Sequence, residues 1–196
     1  MQHFYQNVPG FFNESHEQLF NQIMDNSPDH GVWVEIGAFL GKSISYAVCQ
    51  SLLRQKYYSF HTIDLWKPHM ETAGFYQQFN VDENKLYEIF LKNINPIKNR
   101  VRYYKKSSVE TATLFEDKSV DIIYIDGGHS YSSVTDDIKA WYPKMKESGV
   151  MGFDDYLNPN FEGCKKAIDE FVKEHNLELT LCGWTCYTKL YGIQTR

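Results

Sequence analysis

Short apolar runs alternate with segments of helical periodicity along most of the chain, and this alternation limits the fold more than any other feature. Runs such as Val32–Ile36 and Val120–Ile125 are rich in β-branched residues, which is typical of strands buried on both faces. Between such runs, Gly41–Leu53 repeats its apolar residues at helical spacing. The order strand, helix, strand therefore predicts an α/β fold with a mostly parallel sheet and helices on both faces.

Seven strands and four helices follow from this pattern, and no Pro/Gly/Ser-rich linker divides the chain. The predicted strands are Val32–Ile36, Tyr58–Ile63, Val101–Tyr104, Val120–Ile125, Gly149–Phe153, Leu177–Leu181 and Thr185–Leu190. The predicted helices are Gly41–Leu53, Val81–Asn93, Ser132–Met145 and Cys164–Val172. We expect one domain over residues 1–196, with one antiparallel edge strand and a helical lead-in over residues 1–30, where Ser15 would cap the helix.

Composition argues against several classes of protein. The 196 residues carry a formal net charge of −5 and no block of five basic residues, which disfavours binding along a nucleic-acid backbone. No apolar run reaches the roughly 18–20 residues that span a bilayer, and the N-terminus lacks the features of a secretory signal. The four cysteines lack zinc-site spacing and fit free thiols in a reducing compartment. We expect a cytoplasmic chain without membrane or nucleic-acid partners, and homo-oligomerisation stays open.

The first strand leads into a turn with glycines at 37 and 41, and a helix follows. Gly37 allows a tight turn and a close backbone approach, while the helix N-terminus offers unpaired N–H groups to a ligand. Phe39 departs from the G-x-G-x-x-G pattern of dinucleotide sites, and the glycine spacing is too short for a phosphate-binding P-loop. A ligand turn and an ordinary strand-to-helix turn both remain open on this motif alone.

Acidic residues follow three of the strands. Asp64 ends the second strand, 27 residues beyond Gly37, where a carboxylate can accept both ribose hydroxyls of an adenosine. Asp126 follows the fourth strand, and Asp154 and Asp155 follow the fifth. Because the carboxyl ends of parallel strands share one edge, these last three carboxylates predict a site for Mg²⁺ or another divalent cation. A solvated acidic edge, or aspartates that cap the following segments, are the alternatives.

His129 lies three residues after Asp126, beside two glycines. An imidazole titrates near neutrality and can accept the proton of a hydroxyl group, so His129 is a candidate general base. A structural histidine bonded to the backbone or to an aspartate is the alternative. Residues Lys67–Asn80 lack a core pattern, and we expect a lid or acceptor loop there, with His69, Phe75, Tyr76 and Phe79 as candidate lining residues.

Several of these motifs together resemble the class I S-adenosylmethionine-dependent methyltransferases. The resemblance is strongest to the small-molecule O-methyltransferases that include the macrocin and mycinamicin enzymes and the cephalosporin-hydroxylase-like proteins. The matching segments are residues 34–43, 62–66, 107–112, 120–131, 149–156 and 163–171. They extend over residues 30–172, and the stretch from Ile125 to Tyr131 is the most specific. Phe39 departs from the second glycine that many methyltransferases carry.

The resemblance implies a Rossmann-like class I methyltransferase fold and methyl transfer from S-adenosylmethionine to a hydroxyl of a small polar acceptor, with Mg²⁺ assisting. It implies Asp126 and His129 as catalytic residues. The implied metal ligands are Asp126, Asp154 and Asp155. The implied cofactor-binding residues are Glu35, Ile36, Gly37, Ala38, Gly41, Ser43, Asp64, Leu65, Trp66, Ser107, Ser108, Asp126, Gly127 and His129. Rival readings are a nucleotide-dependent oxidoreductase, a metal-dependent hydrolase and a non-enzymatic binding module.

Overall fold

A computed structural model describes residues 3–67, residue 79 and residues 81–190. The predicted acceptor loop at 67–80 therefore lies outside the described residues except at its ends, and it stays a prediction. Among the described residues, no helix is both long enough and apolar enough to cross a membrane.

The chain forms a seven-stranded sheet in the order β3-β2-β1-β4-β5-β7-β6. The strands are β1 His30–Ile36, β2 Tyr57–Asp64, β3 Val101–Lys105, β4 Val120–Ile125, β5 Met145–Phe153, β6 Thr180–Cys182 and β7 Thr185–Lys189. The pairs from β3 through β5 are parallel, whereas β7 is antiparallel to both β5 and β6. The predicted fold is confirmed, and the structure adds that the reversed strand lies one place inside the edge, with β6 beyond it.

In the described part of the chain, six α-helices flank the sheet. They are α1 Glu14–Asp25, α2 Lys42–Leu53, α3 Leu86–Asn93, α4 Ser108–Ala112, α5 Tyr131–Trp141 and α6 Glu162–Glu174. The sequence pattern missed α4, because five residues are too few to show a helical period. Helix α1 begins two residues earlier than a cap at Ser15 would place it: the Asn13 side chain accepts a hydrogen bond from the Ser15 backbone N–H at 2.9 Å, so Asn13, not Ser15, is the cap.

Two buried layers hold the helices against the sheet, because successive strand side chains point to opposite faces. Trp33 packs with Phe20 of α1 and lies in the layer under α1, α2 and α3. Its neighbour Val34 belongs to the other layer, together with Trp141 of α5 and Phe171 of α6. In the first layer the rings of Phe20 and Tyr124 meet edge to face at 4.8 Å between centroids.

The registers bring the carboxyl ends of four parallel strands into one row. Glu35 is paired with Thr62 on β2 and with Tyr124 on β4, and Ile125 is paired with Phe153 on β5. The residues that follow these pairs therefore lie side by side along the carboxyl ends of the parallel strands. We call this row of strand ends the rim. The rim has a β1–β2 side and a β4–β5 side.

Candidate active site

Gly37 joins the two sides of the rim through backbone contact. Its φ is 91°, a left-handed conformation that favours glycine. A Cβ at this position would lie 1.8 Å from the carbonyl oxygen of Asp126. The Asp126 N–H in turn donates to the Ile36 carbonyl at 2.8 Å. Position 37 therefore requires glycine, as predicted. One reason is the close approach of the turn that follows β4, whether or not a ligand also binds here.

Asp64 anchors the glycine turn to the end of β2. Its Oδ2 accepts hydrogen bonds from the backbone N–H groups of Ala38 at 2.9 Å and Phe39 at 2.8 Å, and its Oδ1 accepts one from Trp66 at 2.7 Å. Burial raises the pKa of this carboxyl, while the backbone donors lower it in part. A carboxylate offers about four acceptor positions, so recognition of a ribose diol would have to share or exchange some of these donors.

Glu35 is fully buried beneath the turn. Its Oε2 accepts a hydrogen bond from the Thr62 hydroxyl at 2.5 Å, and the Ser43 hydroxyl also donates to the carboxyl group. Burial raises its pKa to about 7, partly offset by these two hydroxyls. Its Oε1 has no hydrogen-bond partner in the described part of the chain. A buried acceptor without a donor is unusual and fits a ligand or water that donates at this place.

The residues expected near an adenine divide into an exposed and a packed group. Leu65 is 46% exposed at the rim. Trp66 is buried instead, with its ring 4.5 Å from that of Phe90, and its Nε1–H donates to the Phe39 carbonyl at 2.8 Å. The Trp66 indole therefore stabilises the glycine turn from the buried side. Leu65 is the residue of the two that remains exposed to a ligand.

Ser107 and Ser108 are both partly buried and differ in their hydrogen-bond partners. Ser107 caps α4, because its hydroxyl accepts a hydrogen bond from the Glu110 N–H at 3.2 Å. Ser108 is turned inward: its hydroxyl accepts from the Trp141 indole N–H at 2.9 Å and donates to Asp137. Burial raises the pKa of Asp137 to about 6. Both hydrogen bonds of the Ser108 hydroxyl are thus made with side chains of α5.

Two further predicted residues shape the turns. Gly41 has a φ of 86° and precedes α2, where a Cβ would meet the Ile94 side chain at 2.7 Å. Gly127 follows Asp126, and a Cβ there would approach the Asp137 carboxylate and the Ile36 side chain at 3.2 Å each. Gly41 is therefore favoured both by its backbone conformation and by the available space, whereas at Gly127 the neighbours would have to give way by only a few tenths of an ångström.

On the β4–β5 side, Asp126, His129 and Asp155 converge. Each offers one ligand atom, and these atoms lie within 4.8 Å of one another. His129 Nε2 is 3.2 Å from Asp155 Oδ2, and the imidazole stacks on Phe161 with 4.0 Å between ring centroids. A cavity borders these three residues and is lined on one side by Cys164 of α6. Position and ring orientation of His129 are thus fixed by α6 and the β5 turn.

Asp154 also contacts helix α1. Its Oδ2 is 3.1 Å from Nε2 of His16 on α1, and its Oδ1 accepts a hydrogen bond from the Asp155 N–H at 2.9 Å. Asp155 has a φ of 55°, a left-handed conformation. Asp154 lines the same cavity as Asp126, His129 and Asp155, and its carboxyl group forms a hydrogen bond with that of Asp126. The structure therefore adds His129 to the carboxylates of this place, and the metal set Asp126, Asp154 and Asp155 stays a prediction.

Sequence reasoning missed His16. The spacing of Asn13 and His16 matches a capping box, in which each side chain bonds the other's backbone. That spacing could have indicated the orientation of the imidazole. The contact with Asp154 bridges 138 positions along the chain, and no local pattern indicates it.

The carboxyl groups of Asp126 and Asp154 influence each other's ionisation. Burial, and then the charges of Asp154 and Asp155, raise the pKa of Asp126 well above its ordinary value. Burial opposes ionisation of Asp154 too, but hydrogen bonds from His16, the Asp155 backbone and the Asp126 carboxyl outweigh it and lower its pKa. A cation at this place would relieve the repulsion among these carboxylates and favour the charged form of Asp126.

The reversed β7, the glycine turn after β1 and the acidic strand ends together define a Rossmann-like methyltransferase fold. A family described as "Methyltransferase domain" matches residues 34–156, and the chain belongs to this family. The matched range includes the glycine turn, Asp64, Asp126, His129 and both aspartates of the β5 turn.

Two relatives share part of the chain. An uncharacterized protein of Sinorhizobium fredii (strain NBRC 101917 / NGR234) is 28% identical over 62% of this chain and 13% of its own length. An uncharacterized protein of Acanthamoeba polyphaga mimivirus is 30% identical over 65% of this chain and 52% of its own length. The chain thus spans 13% of the length of one curated relative and about half, 52%, of the length of the other.

Solved structures resemble nearly the whole chain. The O-methyltransferase NovP has a TM-score of 0.63 and 21% identity, over 91% of this chain and 78% of that one. The O-methyltransferase TomG of Streptomyces achromogenes, solved in complex with SAM, has a TM-score of 0.64 and 10% identity, over 93% of this chain and 82% of that one. At these identities the likeness establishes the fold.

Proposed function

We propose that the chain transfers a methyl group from S-adenosylmethionine to a hydroxyl oxygen of a small polar acceptor, and that a divalent cation assists. The observation that carries the proposal is the backbone contact of Gly37 with Asp126. It brings the turn that would hold the cofactor directly against the turn that supplies the acid cluster. NovP and TomG, which share the fold, are both described as O-methyltransferases.

The β1–β2 side has the features that an adenosyl ligand needs. Glu35 presents a buried oxygen without a donor, which suits the amino group of a methionine moiety. Asp64 lies where a ribose would be held, and Leu65 remains exposed beside it. When bound, S-adenosylmethionine supplies an electrophilic methyl group. The residues of this side bind and orient the ligand, which is the larger part of the work in an in-line displacement.

The β4–β5 side has the features that activate a hydroxyl. Asp126 and Asp155 would hold the cation, which lowers the pKa of a bound hydroxyl. Two carboxylates and an imidazole within 4.8 Å suit Mg²⁺ or Mn²⁺, with Mn²⁺ favoured if the imidazole is itself a ligand. Otherwise His129 accepts the hydroxyl proton, and Asp155, whose Oδ2 lies 3.2 Å from Nε2, stabilises the resulting imidazolium.

A panel assay tests this function. The chain is incubated with S-adenosylmethionine labelled in the methyl group and with hydroxylated acceptors such as sugars and phenols, before and after treatment with EDTA. We expect label in at least one acceptor, loss of transfer after EDTA, and recovery with Mg²⁺ or Mn²⁺. Transfer that is unchanged by EDTA would remove the cation from the proposal. Thermal stabilisation by NAD but not by S-adenosylhomocysteine would overturn the cofactor assignment.

A further inference from the structure

An exposed tryptophan lies at the rim near Asp155, although it is outside residues 34–156, which the family matches. Strand β7 is antiparallel to β5, and Phe153 at the end of β5 is paired with Cys186. The turn that joins β6 to β7 therefore lies beyond the carboxyl end of β5, at the rim. Trp184 is in this turn and is 56% exposed, whereas the other three tryptophans of the chain are at most 5% exposed.

Contacts on two sides fix the backbone of the turn that carries Trp184. The Trp184 carbonyl accepts a hydrogen bond from the Leu157 N–H at 3.1 Å, which joins the hairpin to the turn after β5. The preceding Gly183 has a φ of 62°, and a Cβ there would lie 2.3 Å from the hydroxyl oxygen of Ser15 on α1. The indole is therefore exposed although the backbone beneath it is held in place.

Leu157 extends the exposed apolar surface towards Asp155. It is 40% exposed and lies two residues after Asp155, in a turn closed by a hydrogen bond from the Asn158 N–H to the Asp155 carbonyl at 3.2 Å. The Asn158 side-chain amide also donates to Asp155 Oδ1 at 2.6 Å. One turn thus carries both the carboxylate that contacts His129 and an apolar residue bonded to the backbone of Trp184.

The size of this surface suits a small molecule. Trp184 and Leu157 are exposed, and Leu181 of the same hairpin is exposed as well, whereas a stable protein contact uses about 20–30 residues a side. An indole beside a leucine offers a flat apolar surface to one ring. Because the acceptor hydroxyl has to reach His129 and the proposed cation, the ring that carries this hydroxyl would lie next to the turn of Asp155 and Leu157.

We propose that Trp184 and Leu157 form an acceptor platform, which binds the apolar face of the ring that carries the methylated hydroxyl, whether an aromatic ring or the C–H face of a sugar ring. This inference rests on the proposed function and narrows its acceptor to cyclic alcohols and phenols. Trp184 is a specificity-determining residue that holds the ring and takes no part in proton transfer. Acyclic polyols present no such face and are poor acceptors.

Matched variants of the full chain separate ring binding from the general loss of an exposed aromatic side chain. Trp184→Ala removes the indole, and Trp184→Phe keeps a smaller ring. Tyr57→Ala is the control, because Tyr57 is 55% exposed but lies at the start of β2, at the opposite end of the sheet from the rim. Each variant is first checked for a cooperative unfolding transition.

The first readout does not depend on catalysis. The chain has four tryptophans, so its ¹H–¹⁵N spectrum contains four indole N–H resonances, and Trp184→Phe identifies that of Trp184. Phenol, methyl α-glucoside and glycerol are titrated in turn, with and without S-adenosylhomocysteine.

We expect phenol or the glucoside to shift the Trp184 indole resonance while the other three stay in place, and glycerol to shift none. The probe that gives the larger shift distinguishes an aromatic from a sugar acceptor. A Trp184 resonance that neither ring probe moves, or that glycerol moves equally, would overturn the proposal.

The second readout is the split between KM and kcat for an acceptor found by the panel assay. A contact that is equally strong in the ground state and the transition state changes KM and leaves kcat unchanged. We expect Trp184→Ala to raise KM by about 2–10-fold and Trp184→Phe to restore most of the loss. Tyr57→Ala should leave both constants at their wild-type values.

The two readouts distinguish failure of the platform from failure of the proposed function. If the panel yields no methylated acceptor, the proposed function fails, and the indole spectra still decide whether Trp184 binds a ring. If an acceptor is methylated but Trp184→Ala keeps its wild-type KM and neither ring probe moves the indole resonance, the platform fails and the proposed function stands.

A second copy of the chain is the rival occupant of this surface. Sedimentation velocity at several concentrations compares the self-association of the wild-type chain with that of Trp184→Ala. We expect the same association state for both. Weaker self-association of Trp184→Ala, together with an indole resonance that the ring probes leave in place, would overturn the proposal and assign the surface to a contact between copies.

Discussion

The two sides of the rim satisfy their carboxylates in opposite ways. On the β1–β2 side, Asp64 takes three backbone N–H donors at 2.7–2.9 Å, and these donors partly offset the cost of burying its carboxylate. On the β4–β5 side, Asp126 lies against Asp154 and Asp155, and its pKa is raised well above the ordinary value by burial and by their charges. Backbone hydrogen bonds preorganise the carboxylate on the β1–β2 side, whereas the carboxylates on the β4–β5 side repel one another.

This difference assigns a separate task to each side. A turn fixed by backbone hydrogen bonds needs little rearrangement to bind a ligand, which favours affinity. A crowded group of carboxylates binds a cation or a proton readily, which favours chemistry. Replacements on the β1–β2 side should therefore alter cofactor affinity, and replacements on the β4–β5 side should alter rate.

The largest effect is expected where the two sides touch. Gly37→Val places a Cβ 1.8 Å from the Asp126 carbonyl oxygen and forces a β-branched residue into a φ of 91°. We expect a loss of at least about 4 kcal/mol in the free energy of unfolding, measured by urea denaturation. Gly127→Ala is the control, because its closest contacts would be at 3.2 Å. Equal stability of Gly37→Val and wild type would show that the two turns are not in contact.

On the β4–β5 side, Asp155→Ala removes the partner of His129 and one proposed ligand of the cation. We expect kcat to fall by about 10²–10³-fold, while the affinity for S-adenosylhomocysteine stays within about twofold. The measurement uses the acceptor identified by the panel assay and calorimetry for the cofactor product. Asp136→Ala removes an exposed carboxylate of α5 and serves as the charge control. A change in cofactor affinity with unchanged kcat would reverse the assignment of the two sides.

On the β1–β2 side, Asp64→Ala leaves the N–H groups of Ala38 and Phe39 without their acceptor. Hydrogen bonds to a charged group contribute about 1.5–3 kcal/mol, so we expect affinity for S-adenosylhomocysteine to fall by about 10–100-fold. Asp82→Ala is a matched control, since Asp82 also accepts a backbone N–H, from Asn84, but at the surface. Unchanged affinity in Asp64→Ala would remove both the anchoring and the ribose role.

The smallest effect concerns pH and Glu35. Its pKa is raised to about 7 in the folded chain from 4.5, so the folded state retains a proton that the unfolded state has lost. Stability is therefore lost as pH rises from the unfolded value towards the folded one. At 1.36 kcal/mol per pKa unit, the stabilising effect of Glu35→Gln should grow by about 1 kcal/mol between pH 6 and 8. Parallel urea curves at the two pH values test this, and a constant difference would contradict it.

The sequence predicted the order of the elements well because strands and helices have different apolar periods. The strand Val120–Ile125 was predicted to the residue, and the sharing of one edge by Gly37, Asp64 and Asp126 followed from parallel topology alone. The directions of side chains did not follow. Asp155 contacts His129 from a left-handed φ of 55°, and Asp154 is bonded to a histidine of α1. Neither of these long-range contacts has a signature in local sequence.

Packing also engages side chains that the resemblance implies around an adenine, and their cofactor roles stay predictions. Trp66 lies against Phe90 of α3, and Ser108 bonds to Trp141 and Asp137 of α5. Both positions belong to matching motifs, but a motif identifies a position on the rim and not the side of the backbone to which its side chain turns. Tertiary contacts from α3 and α5 make that choice.

The most direct test of the two-sided rim is a crystal structure with S-adenosylhomocysteine and Mn²⁺, with anomalous data collected at the manganese edge. The account predicts the adenosyl ligand along the β1–β2 side and one anomalous peak within about 2.5 Å of carboxylate oxygens of Asp126 and Asp155, with Asp154 still bonded to His16. A fully occupied ligand without an anomalous peak, or a peak coordinated by Asp154 in place of Asp155, would contradict it.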